Sequence, residues 1–191
     1  MDKVTTPEFR VSFPAVFEPV AFQGGQPKYS VTMLFPKGTN LDTLKALAKA
    51  AVQAKWPDPN KRPKSLQHPF RDGDKDKPDL DGYAGHIFVK ATSKMRPGVI
   101  DSSMSDIITP EDFYAGCYAK ASITAYAYDT AGNRGVAFGL QNLMKTRDGE
   151  PFSGRSSAQE DFADEASAGV TQQDLSDVLG EPDPNEEDIP F

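Results

Sequence analysis

Residues 113–128 read FYAGCYAKASITAYAY and alternate in a way that separates a core from a ligand surface. In an extended strand, successive side chains point to opposite faces. Odd positions from 115 to 127 are Ala, Cys, Ala, Ala, Ile, Ala and Ala, while even positions from 118 to 128 are Tyr, Lys, Ser, Thr, Tyr and Tyr. The odd face is small and apolar. The even face offers Tyr118, Tyr126 and Tyr128 as flat rings, with Lys120 among hydroxyls. Such a face suits an unpaired nucleic-acid strand. Bases stack on aromatic rings whatever their identity, at about 1–3 kcal/mol each, and cations track the phosphates. For any single tyrosine, a ring turned into a packed barrel explains the pattern equally well. Lys120 shifts the balance toward binding.

Residues 85–94, GHIFVKATSK, repeat the arrangement. Ile87, Val89 and Ala91 make a core face, which leaves His86, Phe88, Lys90, Thr92 and Lys94 on the other. Arg96 extends the basic row into a turn at Pro97-Gly98. Aromatic and basic residues interleaved on two strands favour DNA contact over a solvated face with one stray ring. Lys55, Lys61, Arg62 and Lys64 surround Trp56, and Arg134, Lys145, Arg147 and Arg155 form a further basic set. Either could line a groove or simply solubilise the chain. The expected DNA contacts are Phe88, Lys90, Lys94, Arg96, Tyr118, Lys120, Tyr126, Arg134 and Lys145.

The chain carries no signature of catalysis, metal or cofactor chemistry. Asp72-Gly73-Asp74-Lys75-Asp76 opens like a calcium loop. The sixth position is Lys77 where glycine is needed, and the twelfth is Tyr83 where glutamate is needed. A two-metal nuclease centre would need these acids on rigid elements. Interleaved lysines in a loop suggest a solvated segment instead. Two distant histidines and one cysteine do not make a structural zinc site.

Charge divides the chain. Residues 1–155 carry 21 basic and 17 acidic side chains, a surplus of +4, whereas residues 156–191 carry 11 acids and no base. Hydrophobic residues are only 38% of the whole, so apolar content should be concentrated before residue 156. The expected organisation is a DNA-binding domain over 1–155 and a disordered acidic tail over 156–191. The tail ends Glu186-Glu187-Asp188-Ile189-Pro190-Phe191. Acids can steer this end to a basic surface, Pro190 restricts the approach, and Phe191 can fill a pocket. Asp188, Ile189, Pro190 and Phe191 are therefore the expected partner-binding residues.

Five strand-like segments and one helix should present these faces. They are 9–17, 28–35, 85–94, 113–128 and 134–145, with a helix from a cap at Thr39 or Asn40 to about Trp56. On the first strand, Phe9, Val11, Phe13, Ala15 and Phe17 share one face, and Pro14 marks an edge or bend. Residues 57–82, with five prolines, read as a long loop. Strands that do not alternate with helices argue against a parallel sheet. A mainly β fold results: a five-stranded antiparallel OB-like barrel with one main helix. By this count the helix follows the second strand, whereas in the common OB arrangement it follows the third.

Four segments carry a family resemblance: Phe70-Arg71-Asp72-Gly73-Asp74, Arg96-Pro97-Gly98-Val99-Ile100-Asp101, Tyr114-Ala115-Gly116-Cys117-Tyr118 and Asn133-Arg134-Gly135. Through them, residues 8–160 resemble a bacteriophage family of OB-fold single-stranded DNA-binding proteins with acidic tails. The last residues resemble the tail of bacterial single-stranded DNA-binding proteins. The resemblance implies a non-enzymatic accessory of phage DNA replication, recombination or repair in the bacterial cytoplasm. Its expected partners are single-stranded DNA and, through the tail, replication or recombination proteins. No membrane role is expected, and homo-oligomerisation is left open. The competing readings are a protein-interaction adaptor that binds no DNA, and a metal-dependent nuclease.

Overall fold

A computed structural model describes residues 2–152, so the expected acidic tail and its Asp188, Ile189, Pro190 and Phe191 lie outside the described residues. The elements are β1 (Val4–Thr5), β2 (Phe9–Val20), β3 (Lys28–Pro36), α1 (Asp42–Lys55), a 3-10 turn (Pro59–Lys61), β4 (Phe70–Asp72), α2 (Gly73–Asp76), β5 (His86–Ser93), β6 (Gly98–Ile100), β7 (Tyr118–Thr130) and β8 (Asn133–Arg147).

Five strands close into a ring in the order β2, β3, β5, β8, β7 and back to β2. Closure removes the free edges of the sheet. All neighbours are antiparallel except β5 and β8, which run parallel with Ala91 opposite Phe138 and Thr92 opposite Gly139. The barrel is the expected OB-like one, and its one parallel pair has a simple cause. Direction cannot alternate all the way round an odd number of strands.

Inward residues follow the two-residue period. Val31, Met33 and Phe35 of β3, Val89 and Ala91 of β5, and Ala119, Ala121 and Ile123 of β7 are buried in one core. The small β7 residues leave room for Phe138 and Leu140 of β8 beside them. Phe9 meets Phe35 edge to face at 5.7 Å. Helix α1 begins where the Asn40 side chain accepts the Asp42 N–H at 2.9 Å. It buries Leu44, Leu47 and Ala48 against the core and stops before Pro57. The helix follows β3, the second strand of the ring, as counted from the sequence.

Two expectations need correction. Phe13 is not in the core: it is 62% exposed at a positive φ of 44°. The register of β2 against β3 shifts between Ser12 and Ala15, so the buried position moves to Val16. A β-bulge beside Pro14 inserts the extra residue and reverses the alternation. Nor is 57–82 one irregular loop. β4 pairs with β5, placing Phe70 opposite Val89 and Asp72 opposite Ile87, and Gln67 bridges to Gly135. Residues 67–72 thus fill the seam where β5 diverges from β8.

Candidate nucleic-acid interface

The ring has an outward row of small residues. Ser30 stands opposite Thr92, Thr92 opposite Gly139, and Gly139 opposite Thr124. All four are half-buried. A Cβ on Gly139 would lie 2.6 Å from the Thr124 hydroxyl, so the strands come close there only because residue 139 has no side chain. The row makes a shallow floor of hydroxyls across β3, β5, β8 and β7.

Rings and cations border that floor on the β5 side. Lys90, Lys94 and Arg96 are exposed and have no carboxylate partner among the described residues. The distal arm of the β2–β3 hairpin reaches over them. The Lys90 ammonium lies 5.4 Å from the centroid of Phe22, which is 71% exposed, and the Arg96 guanidinium lies 5.7 Å from Phe17. Sequence reasoning missed Phe17 and Phe22. The bulge at Phe13 hid Phe17, and Phe22 sits in the turn, where strand alternation carries no signal.

Tyr126 and Lys120 border the floor on the β7 side, half-buried on the outward face with Thr124. The even face of β7 is outward and the odd face is core, as the alternation requires. Tyr128 lies across Gly135, and its hydroxyl donates to Gln67 Oε1 at 3.0 Å. Arg134 is exposed at the hairpin turn, 3.0 Å from Asp129.

Besides the paired Arg134, three more of the expected contacts are occupied within the fold. Phe88 is only 7% exposed. It packs edge to face on Tyr83 at 5.1 Å, in a second apolar cluster with Leu34. The strand alternation does turn Phe88 away from the barrel core, but residues 73–85 cover it. The Tyr83 hydroxyl hydrogen-bonds Ser12 beneath that cover. Tyr118 carries the Arg147 guanidinium 3.6 Å from its ring centroid, and Glu8 holds Arg147 in turn at 3.1 Å. One face of Tyr118 is therefore already stacked. Lys145 is paired with Asp148 at 2.7 Å and lies over Tyr114.

Ion pairs hold the acidic segment. Lys37 lies 2.8 Å from Asp72 and 2.6 Å from Asp74, and its hydrogen bonds hold both carboxyls below the usual range. Asp76 pairs with Arg71. Among the described residues, no three His, Cys, Asp or Glu side chains converge as metal ligands. Cys117 is buried in the core, which pushes its thiol up to about 11. Since the thiolate is the reactive form, Cys117 should resist maleimide in the native protein at neutral pH and label fully once the chain is denatured. Rapid native labelling would show that the barrel opens.

Residues 2–174 match the family described as the Enterobacter phage Enc34 ssDNA-binding protein. The chain belongs to that family. Its protein p50 relative, from Acyrthosiphon pisum secondary endosymbiont phage 1, is 33% identical over 165 residues, which cover 80% of this chain and 87% of p50. The solved single-stranded DNA-binding protein of bacteriophage Enc34, in complex with ssDNA, is 25% identical with a TM-score of 0.67, covering 79% of this chain and 89% of that one. The fold also matches gp2.5, a single-stranded DNA-binding protein of bacteriophage T7, at 16% identity and a TM-score of 0.54, covering 82% of this chain and 98% of gp2.5.

Proposed function

We propose that this protein binds single-stranded DNA without sequence preference along the outward face of β3, β5, β8 and β7. The observation that carries the reading is the set of cations Lys90, Lys94 and Arg96, without a carboxylate partner among the described residues, beside the half-buried Phe17 and the exposed Phe22, above a floor of small residues. OB barrels bind oligonucleotides on the face of their second and third strands and on the loops that flank it. Here that face is β3 and β5, and the flanking loops are the β2–β3 arm and the β7–β8 turn. The protein serves phage DNA replication, recombination or repair in the cytoplasm of the host. Residues 1–155 form the DNA-binding unit, and the acidic residues 156–191 recruit replication or recombination partners through Asp188, Ile189, Pro190 and Phe191.

Anisotropy titrations of the full chain with labelled single-stranded and duplex oligonucleotides test the reading. Single strands should bind much more tightly, because stacking needs exposed base faces. Affinity should fall with salt as counterions are released. Equal duplex affinity would count against the face. Lys90→Ala and Lys120→Ala should each lower the log–log salt slope by roughly 0.7, the value for one phosphate contact on a single strand. An unchanged slope would remove that lysine from the interface.

A further inference from the structure

A groove of about 420 Å³ lies between α1 and β7, outside the floor described above. Its lining includes Ala50, Ala51 and Ala54 of α1 and Tyr126 of β7, together with Lys55 and Asp2. We propose that the DNA strand runs past Tyr126 into this groove and leaves one unpaired nucleotide there, with its base against Tyr126 and its phosphate at Lys55. The inference rests on single-stranded DNA being the ligand.

Three observations support it. The volume falls toward the small end of pockets that hold small organic ligands, roughly 300–1,000 Å³, which suits one nucleotide. Tyr126 belongs to both places: it lines the groove and stands on the outward face of β7 with Lys120 and Thr124. The strand therefore need not leave the protein surface to pass from one to the other. The charge also fits a polyanion. Lys55 ends the helix, and Lys61, Arg62 and Lys64 follow it. The Arg62 Nε–H donates to the Trp56 carbonyl at 3.0 Å, which ties Arg62 to the helix end. Asp2 is the one acid lining the groove, and Lys61 also reaches Asp58 at 4.0 Å.

The protein carries its own reporter. Trp56 is the sole tryptophan, it follows Lys55 directly, and the Lys55 ammonium lies 5.9 Å from its ring centroid. The full chain is titrated with oligothymidylates of increasing length while Trp56 fluorescence is recorded. The anisotropy of an end-labelled oligonucleotide is measured in parallel. Fluorescence should change only once the oligonucleotide exceeds the length held by the barrel face. A double variant, Ala50→Leu with Ala54→Leu, fills the groove at two exposed helix positions with a strong helix former. It should bind short oligonucleotides normally, lose the fluorescence change, and bind long ones about tenfold more weakly. Lys55→Ala, which adds no bulk, should lower the salt slope for long oligonucleotides only, and it decides the matter if the leucine variant unfolds. Wild-type affinity and site size in both variants would overturn the groove assignment while leaving the barrel face intact. Displacement of a protein partner, rather than of DNA, by the filled groove would overturn it too. A wild-type chain that binds no single strand at all would overturn the function and the groove together.

Discussion

Replacing Phe88 by alanine is expected to destabilise the protein by about 3–5 kcal/mol and to leave the DNA affinity of the folded fraction nearly unchanged. Phe88 lies on the outer side of β5, but its ring is enclosed by Leu34 and Tyr83, with the Arg71 guanidinium 5.2 Å away. Truncation removes the edge-to-face contact with Tyr83 and empties the space under residues 73–85. The cavity is costly because neighbouring side chains collapse into it only in part. For a domain of this size, the loss corresponds to a fall in melting temperature of roughly 10–15 °C. Phe22→Ala makes the opposite case. Its ring is 71% exposed, so stability should change by less than about 0.5 kcal/mol. Its affinity for single-stranded DNA should drop by about 1–3 kcal/mol if the ring stacks on a base. Thermal melts and titrations on both variants separate the roles. Weak binding with an unaltered melting temperature in Phe88→Ala would place that ring at the DNA after all.

The contrast between these two phenylalanines shows what the sequence could reveal. Strand alternation reports which of two faces a residue takes, and it found the core faces of β5 and β7. It does not report whether the outward face is covered. What covers Phe88 is Tyr83, which lies forty-nine residues along the chain from Leu34 in sequence but beside it in space. The cover comes from residues 73–85, the end of a stretch in which prolines and acids conceal β4 and α2. Both elements are very short, and tertiary pairing decides them: β4 exists because β5 has a free edge there. A bulge hides information in a different way. One extra residue at Phe13 moves the next buried position to Val16, so the alternation read along Phe9, Val11, Phe13, Ala15 and Phe17 breaks there. Cation partners are equally invisible in a linear reading. Lys145 looks like Lys90 until Asp148 is found 2.7 Å away. The parts that were legible, the closed barrel and the helix after its second strand, depend on long runs of consistent periodicity. The parts that were not depend on single contacts between distant segments.

Removing residues 156–191 is expected to strengthen binding to single-stranded DNA by about tenfold or more at low salt, with the gain shrinking as salt rises. Charge alone accounts for the effect. The full chain has a net charge of −7, whereas residues 1–155 alone carry +4. A strand of phosphates therefore approaches a net anion in one case and a net cation in the other. Long-range repulsion of this kind is screened over about 10 Å at 0.1 M ionic strength and about 3 Å at 1 M. The two proteins should therefore converge in affinity toward high salt. A full-length variant with the 11 tail acids changed to their amides separates charge from bulk. It should match the shortened chain if charge is the cause. Phe191→Ala removes no charge, so its DNA affinity should equal that of the unaltered protein. Its expected loss is different: it should no longer hold a host replication or repair protein that also binds the matching end of the bacterial single-stranded DNA-binding protein. A synthetic Glu-Glu-Asp-Ile-Pro-Phe peptide should compete for the same protein. Equal DNA affinity with and without residues 156–191 at low salt would refute the electrostatic role, and undiminished capture by Phe191→Ala would refute the docking role. Each result stands without the other, because the expected electrostatic effect needs only charge at a distance, whereas the expected docking needs the Phe191 ring in contact.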